Sequence, residues 1–218
     1  MTHVLIADDD PNILMVFSAF LKSEPFTIEV AADGRAALEK VSARVPGLVI
    51  MDMDMPVMNG YEAASAIRAV HSAEALPIIG VTGHDDADAE RKCLDAGCTS
   101  YLAKPVKRAA LLQAVGAAMG TRRPKDIRKS PPFEVPDTLA SRFLAQVSED
   151  VSRAFELVAD GQFGAVGRIG HRIRGTAGTL GFPLIGGAGM VLELAAAGED
   201  ADEVVAALRA LEREVYRK

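Results

Sequence analysis

The chain has 218 residues, 49% of them hydrophobic and 25% charged, with a formal net charge of -6, which is ordinary for a globular protein with room for two modest domains. No apolar run approaches the roughly 20 residues needed to cross a bilayer, and the opening MTHVLIADDD carries neither a charged leader nor a signal-like apolar core, so a cytoplasmic protein with no membrane partner is expected. Residues 1–120 hold 10 Lys/Arg against 16 Asp/Glu, residues 121–135 hold 5 against 2, and residues 136–218 hold 9 against 12; both acidic halves argue against a nucleic-acid partner.

In chain order, short apolar runs alternate with amphipathic stretches. HVLIA precedes 11–24, FTIEV precedes 34–44, GLVIM precedes 60–71, PIIGVT precedes 86–96, and SYLA precedes 106–119. The alternation predicts a doubly wound α/β domain over 1–120 with five parallel strands. Cys93 and Cys98, at the last helix-to-strand junction, read as buried thiols and not as a bridge or a metal pair. TRRPKDIRKSPPFEV, 121–135, is basic, bears prolines and lacks apolar periodicity, as an interdomain linker does.

In open parallel sheets a ligand sits at the carboxyl ends of the strands. Here those ends present Asp8, Asp9 and Asp10 after the first strand, Asp52 on the third, Thr82 on the fourth and Lys104-Pro105 after the fifth. Carboxylates gathered at one edge repel each other unless a cation sits among them, and an all-oxygen set suits Mg²⁺. Asp8 and Asp9 are placed to hold the metal and Asp10 to cap the following helix. Asp52 is the natural phosphoryl acceptor, with Lys104 and Thr82 able to contact phosphoryl oxygens. His84 and Asp54 flank this pocket and are positioned to tune hydrolysis of an acyl phosphate.

VLIADDDPN, LVIMDMDMPVMNG, PIIGVTG and YLAKPV resemble, in order and spacing, the receiver domain of two-component response regulators. The resemblance implies a flavodoxin-like fold, an aspartyl phosphate at Asp52, Mg²⁺ held by Asp8, Asp9, Asp52 and the backbone carbonyl of Asp54, and Lys104 on the phosphoryl oxygens. It further implies a switch in which Thr82 moves toward the phosphoryl group and Tyr101 turns inward. A small residue, Gly83, stands where the donor approaches, and a cis Lys104-Pro105 peptide is expected.

Beyond the linker the spacing becomes helical. Four stripes stand out: Leu139/Phe143/Val147/Val151/Phe155, Val166/Ile173/Ala177/Leu180, Leu184/Ala188/Val191/Ala195 and Val204/Leu208/Leu211/Val215. They predict an antiparallel four-helix bundle over 136–218. On a helical wheel His171 lies opposite its own stripe and is expected to face solvent. Arg168 and Arg174 flank it, and Gly175 and Gly178 on its face clear space for a reacting partner. No second ligand-type side chain shares that face, so no metal is expected there.

AVGRIGHRIRGTAGTLGF resembles the acceptor helix of histidine-containing phosphotransfer (HPt) domains, in which glycine follows the histidine at four residues; Arg174 stands where that family more often has lysine. Together the two resemblances imply a phosphorelay protein that carries phosphoryl groups on Asp52 and His171. The partners implied are a sensor histidine kinase and other receiver or HPt proteins. No Gly-rich phosphate loop is present, so the phosphate comes from elsewhere. The alternative is a single-acceptor response regulator whose helical half only docks or dimerises.

Overall fold

Near-continuous apolar runs such as Val4-Leu5-Ile6 and Leu48-Val49-Ile50-Met51 are buried throughout, the pattern of strands covered on both faces. They form β1 (Thr2–Ala7), β2 (Phe26–Ala31), β3 (Leu48–Asp52), β4 (Ile78–Thr82) and β5 (Ser100–Ala103). Between them run α1 (Pro11–Leu21), α2 (Gly34–Ala43), α3 (Gly60–Arg68), α4 (Ala87–Asp95) and α5 (Arg108–Ala118). The structure, a computed structural model, describes residues 2–22, 24–83, 87–120 and 134–217. His84 and residues 121–133 of the expected linker lie outside them. The chain divides into two units, the second beginning at Glu134.

The sheet is parallel throughout, in the order β2-β1-β3-β4-β5, the expected doubly wound arrangement. Helices α1 and α5 pack together, as do α2 and α3. The order reverses between β1 and β3, whose carboxyl ends stand in register with Ala7 opposite Met51, so the crevice expected of this topology opens there. Local chemistry sets the helix starts above it. Asp10 accepts from the Asn12 N–H and Pro11 takes the first helical position of α1; Asn59 and Glu62 close a reciprocal capping box at α3. Two expected helices end three residues early, at Leu21 and Arg68. Pro25 disfavours helical backbone in the residue before it, and Arg68 bonds the carbonyls of His71, Leu76 and Gly97, bracing a loop.

The second unit contains α6 (Asp137–Ala159), α7 (Phe163–Leu180), α8 (Pro183–Ala197) and α9 (Ala201–Val215). Each packs on the next and α9 returns to α6, as in a four-helix bundle. No helix among the described residues is long and apolar enough to cross a membrane.

One stripe is corrected. Leu184 and Val191 are 60% and 54% exposed, while Ile185, Gly186, Gly189, Leu192 and Ala196 are buried. The α8 sequence is apolar nearly all round, so large side chains do not mark its inner face; glycines do. A Cβ at Gly189 would lie 3.0 Å from the Gly170 oxygen and the Arg174 nitrogen on α7, so the two backbones meet where neither carries a side chain.

Candidate functional site

The carboxyl ends of β1 and β3 bring Asp8, Asp9 and Asp52 together, with one carboxylate oxygen from each within 4.8 Å of the others. Asp8 and Asp52 are buried. The Asp8 Oδ1 accepts from the Asp10 N–H at 2.8 Å. Lys104, after β5, donates to Asp52 Oδ2 at 2.8 Å and Asp8 Oδ2 at 3.2 Å. The Lys104-Pro105 peptide is cis, as the resemblance implied. At Gly60 a Cβ would overlap the Asp52 carbonyl oxygen; glycine there lets the start of α3 close over the end of β3.

Burial dominates the electrostatics of the carboxylates. It pushes the Asp8 carboxyl well above its ordinary range and the Asp52 carboxyl up as well, and Lys104 offsets this only in part. Burial also works against the Lys104 ammonium, but the attraction of Asp8 and Asp52 is larger and holds its pKa above the usual lysine range. The pocket sets three carboxyl groups, two of them buried, against one ammonium. An oxygen-only cluster of this kind fits a hard divalent cation that keeps part of its water shell.

The other expected residues surround the cluster unevenly. Thr82 ends β4 fully buried. The exposed Asp54 contributes its N–H, 3.4 Å from Asp52 Oδ1, and its carboxylate is not part of the cluster. Gly83 follows Thr82 half-buried. Tyr101, half-buried on β5, reaches the Glu90 Oε2 on α4 with its hydroxyl, at 3.4 Å.

Tyr61, on α3, has no counterpart in the sequence reading. Its hydroxyl is hydrogen-bonded with Thr82 and with the Cys93 thiol, and burial, ahead of nearby Cys93 and Asp54, pushes it up to about 12. Nothing in the residue pattern marks it, since an aromatic residue at the start of an amphipathic helix is ordinary core material.

His171 departs from expectation. Its side chain is 23% exposed and Nδ1 lies 2.9 Å from Glu193 Oε1 on α8. The imidazole sits at the edge of the α7/α8 groove, because α8 approaches along Gly170, Arg174 and Gly178, a line that a wheel drawn through large apolar residues does not reveal. Arg174 joins this cluster, with Nη1 3.1 Å from Glu193 Oε2. Its Nη2 stands 3.5 Å from His171 Nδ1; the shorter carboxylate contact decides that Nδ1 carries a proton and donates it to Glu193. In that tautomer of the neutral ring the lone pair is on Nε2.

Arg168 is exposed and turned back along α7, its Nη1 3.9 Å from where a Cβ on Gly164 would stand. Gly175 is buried, and its carbonyl accepts from Thr179, so it belongs to packing and does not clear surface. Gly178 is half-buried and borders α8 at Gly186. Glu193 was legible in principle: it is the one charged residue of PLIGGAGMVLELAAA.

The response regulator receiver domain matches residues 4–116. The chain belongs to this family. The Hpt domain matches residues 138–217, so a receiver domain is followed by an Hpt domain. The chain is 33% identical over 138 residues to "Sensor protein GacS" of Pseudomonas syringae pv. syringae, an alignment covering 61% of this chain and 15% of that protein. It is 30% identical over 151 residues to "Response regulator MprA" of Mycobacterium sp. (strain KMS), covering 69% and 61%. In structure, the chemotaxis protein CheY4 of Vibrio cholerae aligns with a TM-score of 0.51 at 31% identity, over 54% of this chain and 98% of that one. The receiver unit thus carries the flavodoxin-like fold of that neighbour.

Proposed function

We propose that the chain is a phosphorelay intermediate: Asp52 and His171 each carry a phosphoryl group and exchange it with partner kinase, receiver or HPt proteins. The domains are residues 1–120 for the receiver, 121–135 for the linker and 136–218 for the HPt bundle. The observation that carries the relay reading over a single-acceptor regulator is the 2.9 Å contact between His171 Nδ1 and Glu193. A histidine with Nδ1 so engaged presents Nε2 as nucleophile, and the carboxylate steadies the positive charge that the ring acquires when Nε2 bonds to phosphorus.

At the receiver, an Asp52 carboxylate oxygen forms the new bond to phosphorus as the donor nitrogen's bond breaks. Asp8, Asp9, Asp52 and the carbonyl of Asp54 would hold Mg²⁺, which supplies charge neutralisation for the incoming phosphoryl oxygens. Lys104 is released from Asp52 to pair with those oxygens. Thr82, reading the new charge, leaves Tyr61 and turns toward it, and Tyr101 follows inward. In the bundle Arg174 stands on the Nδ1 side of the imidazole, paired with Glu193, while Arg168 meets the phosphoryl group only when a docked partner draws it in. Gly175 and Gly178 hold the helix backbone that carries the site.

Labelled phosphoramidate tests this reading. Phosphohistidine survives base and acyl phosphate does not, so the label should divide into base-stable and base-labile fractions. Asp52→Asn should abolish the labile fraction, as should chelation of divalent metal; His171→Gln should abolish the stable one. Glu193→Ala should slow the stable fraction about tenfold or more, the effect of losing one charge-assisted hydrogen bond. A base-stable fraction untouched by His171→Gln would contradict the assignment.

A further inference from the structure

Behind the switch strand lie two thiols that the phosphorelay reading does not use. Helix α4 ends with the Cys98 N–H bonded to the Cys93 carbonyl at 3.0 Å and the Gly97 N–H to the Leu94 carbonyl at 2.9 Å. Gly97 adopts a positive φ of 95°. These are the paired bonds and left-handed residue of a Schellman motif, which brings the side chains at its two ends, Cys93 and Cys98, into contact. A Cβ at Gly80 would lie 3.2 Å from Cys98 Sγ and 3.3 Å from Cys93 Sγ, so both sulfurs converge on one point of β4, two residues before Thr82. Both are free thiols in the structure, and buried.

The convergence of Cys93 and Cys98 at Gly80 points to a modification site: we propose that the two thiols form an intramolecular disulfide when a hydroperoxide oxidises them. Cys93 attacks first. Hydrogen bonding with Cys98, and with Tyr61, pulls the Cys93 thiol below its ordinary range, while the same pairing and burial push Cys98 up. The Cys93 sulfur displaces water from the peroxide O–O bond and becomes a sulfenic acid. The Cys98 sulfur then attacks it, the S–S bond forms and a second water leaves, carrying the remaining thiol proton. Access is through opening of α4, which buries only Ala89 and Cys93 among its residues and is therefore weakly held.

Oxidation has a path to the phosphoryl switch. A hydrogen-bonded path joins Thr82 to Tyr61 and Tyr61 to the Cys93 sulfur. A disulfide sulfur is a poorer acceptor than a thiol inclined to ionise, so Tyr61 loses its anchor and its hold on Thr82 with it. The disulfide does not depend on the phosphorelay reading; this consequence for Thr82 does.

The test treats the full chain with hydrogen peroxide and maps it by mass spectrometry without reductant. A Cys93–Cys98 bridge with loss of two hydrogens, reversed by dithiothreitol, is expected; two unmodified thiols, or only intermolecular bridges, would overturn the proposal. Dimedone should trap a sulfenic acid in Cys98→Ser and not in Cys93→Ser, and the reverse labelling would overturn the order of attack. In the NMR spectrum, peroxide should shift the Thr82 amide in the wild type and leave it nearly unmoved in Tyr61→Phe, although both form the bridge. Equal shifts in the two would overturn the path to Thr82 while leaving the disulfide standing.

Discussion

Gly170 and Glu193 touch through their backbones: a Cβ on Gly170 would stand 2.7 Å from the Glu193 nitrogen and 3.1 Å from its Cα. The residue immediately before His171 thus sets how closely α8 approaches, and through that the distance from imidazole to carboxylate. Gly170→Ala is expected to push the helices apart, lowering stability by about 1–3 kcal/mol, the usual range for overpacking, and to lengthen the His171–Glu193 contact. Gly187, on the open face of α8 with nothing within 4 Å, is the control: Gly187→Ala should stabilise by up to about 1 kcal/mol. Chemical denaturation of both variants checks this, and equal effects would contradict it.

The receiver pocket makes an opposite kind of prediction. The folded pKa of Asp8 is raised above its ordinary value of 3.8, so its contribution to stability is complete below that value and is lost as pH rises through the folded pKa. Without metal, Asp8→Asn should therefore stabilise the receiver at neutral pH, with the gain vanishing as pH falls to the carboxyl's ordinary value of 3.8. Added Mg²⁺ should stabilise the wild type far more than the variant. Thermal melts across pH, with and without metal, measure both; a variant less stable than wild type at pH 7 would contradict the balance of burial over ion pairing.

The two sites differ in how far the residue pattern discloses them. Asp8, Asp9, Asp52, Thr82 and Lys104 each stand at the end of a short apolar run, and a parallel sheet aligns such ends, so strand periodicity alone gathers them. The bundle site depends on contacts between helices. Its stripe assignments weigh side-chain size, whereas α7 and α8 meet at Gly170, Gly186 and Gly189, where burial belongs to the backbone. For that reason the wheel reads His171 as exposed, misplaces the buried face of α8 and passes over Glu193. Tyr61 escapes for another reason: its hydroxyl meets Thr82 where α3 packs over the end of β4, a contact that neither element's apolar spacing marks.

Under the proposed switch, the hydrogen bond between Tyr61 and Thr82 restrains Thr82 before phosphorylation. Tyr61→Phe removes the hydrogen-bond partner of the Thr82 hydroxyl, a loss of about 0.5–1.5 kcal/mol, and should shift the resting equilibrium toward the switched state up to about tenfold. Phosphorylation-sensitive amide resonances around Thr82 and Tyr101 should lie part-way to their phosphorylated positions before any donor is added. Resonances identical to those of the unphosphorylated wild type would contradict a restraining role.

The central claim is that one chain carries two acceptors, with His171 reacting through Nε2. Phosphorus NMR of the full chain treated with phosphoramidate and Mg²⁺ tests it most directly, because acyl phosphate and the two phosphohistidine isomers resonate apart. An acyl phosphate signal that disappears in Asp52→Asn is expected, together with an Nε2-phosphohistidine signal that disappears in His171→Gln and survives in Asp52→Asn. An acyl phosphate signal with no phosphohistidine, or phosphohistidine substituted at Nδ1, would contradict it.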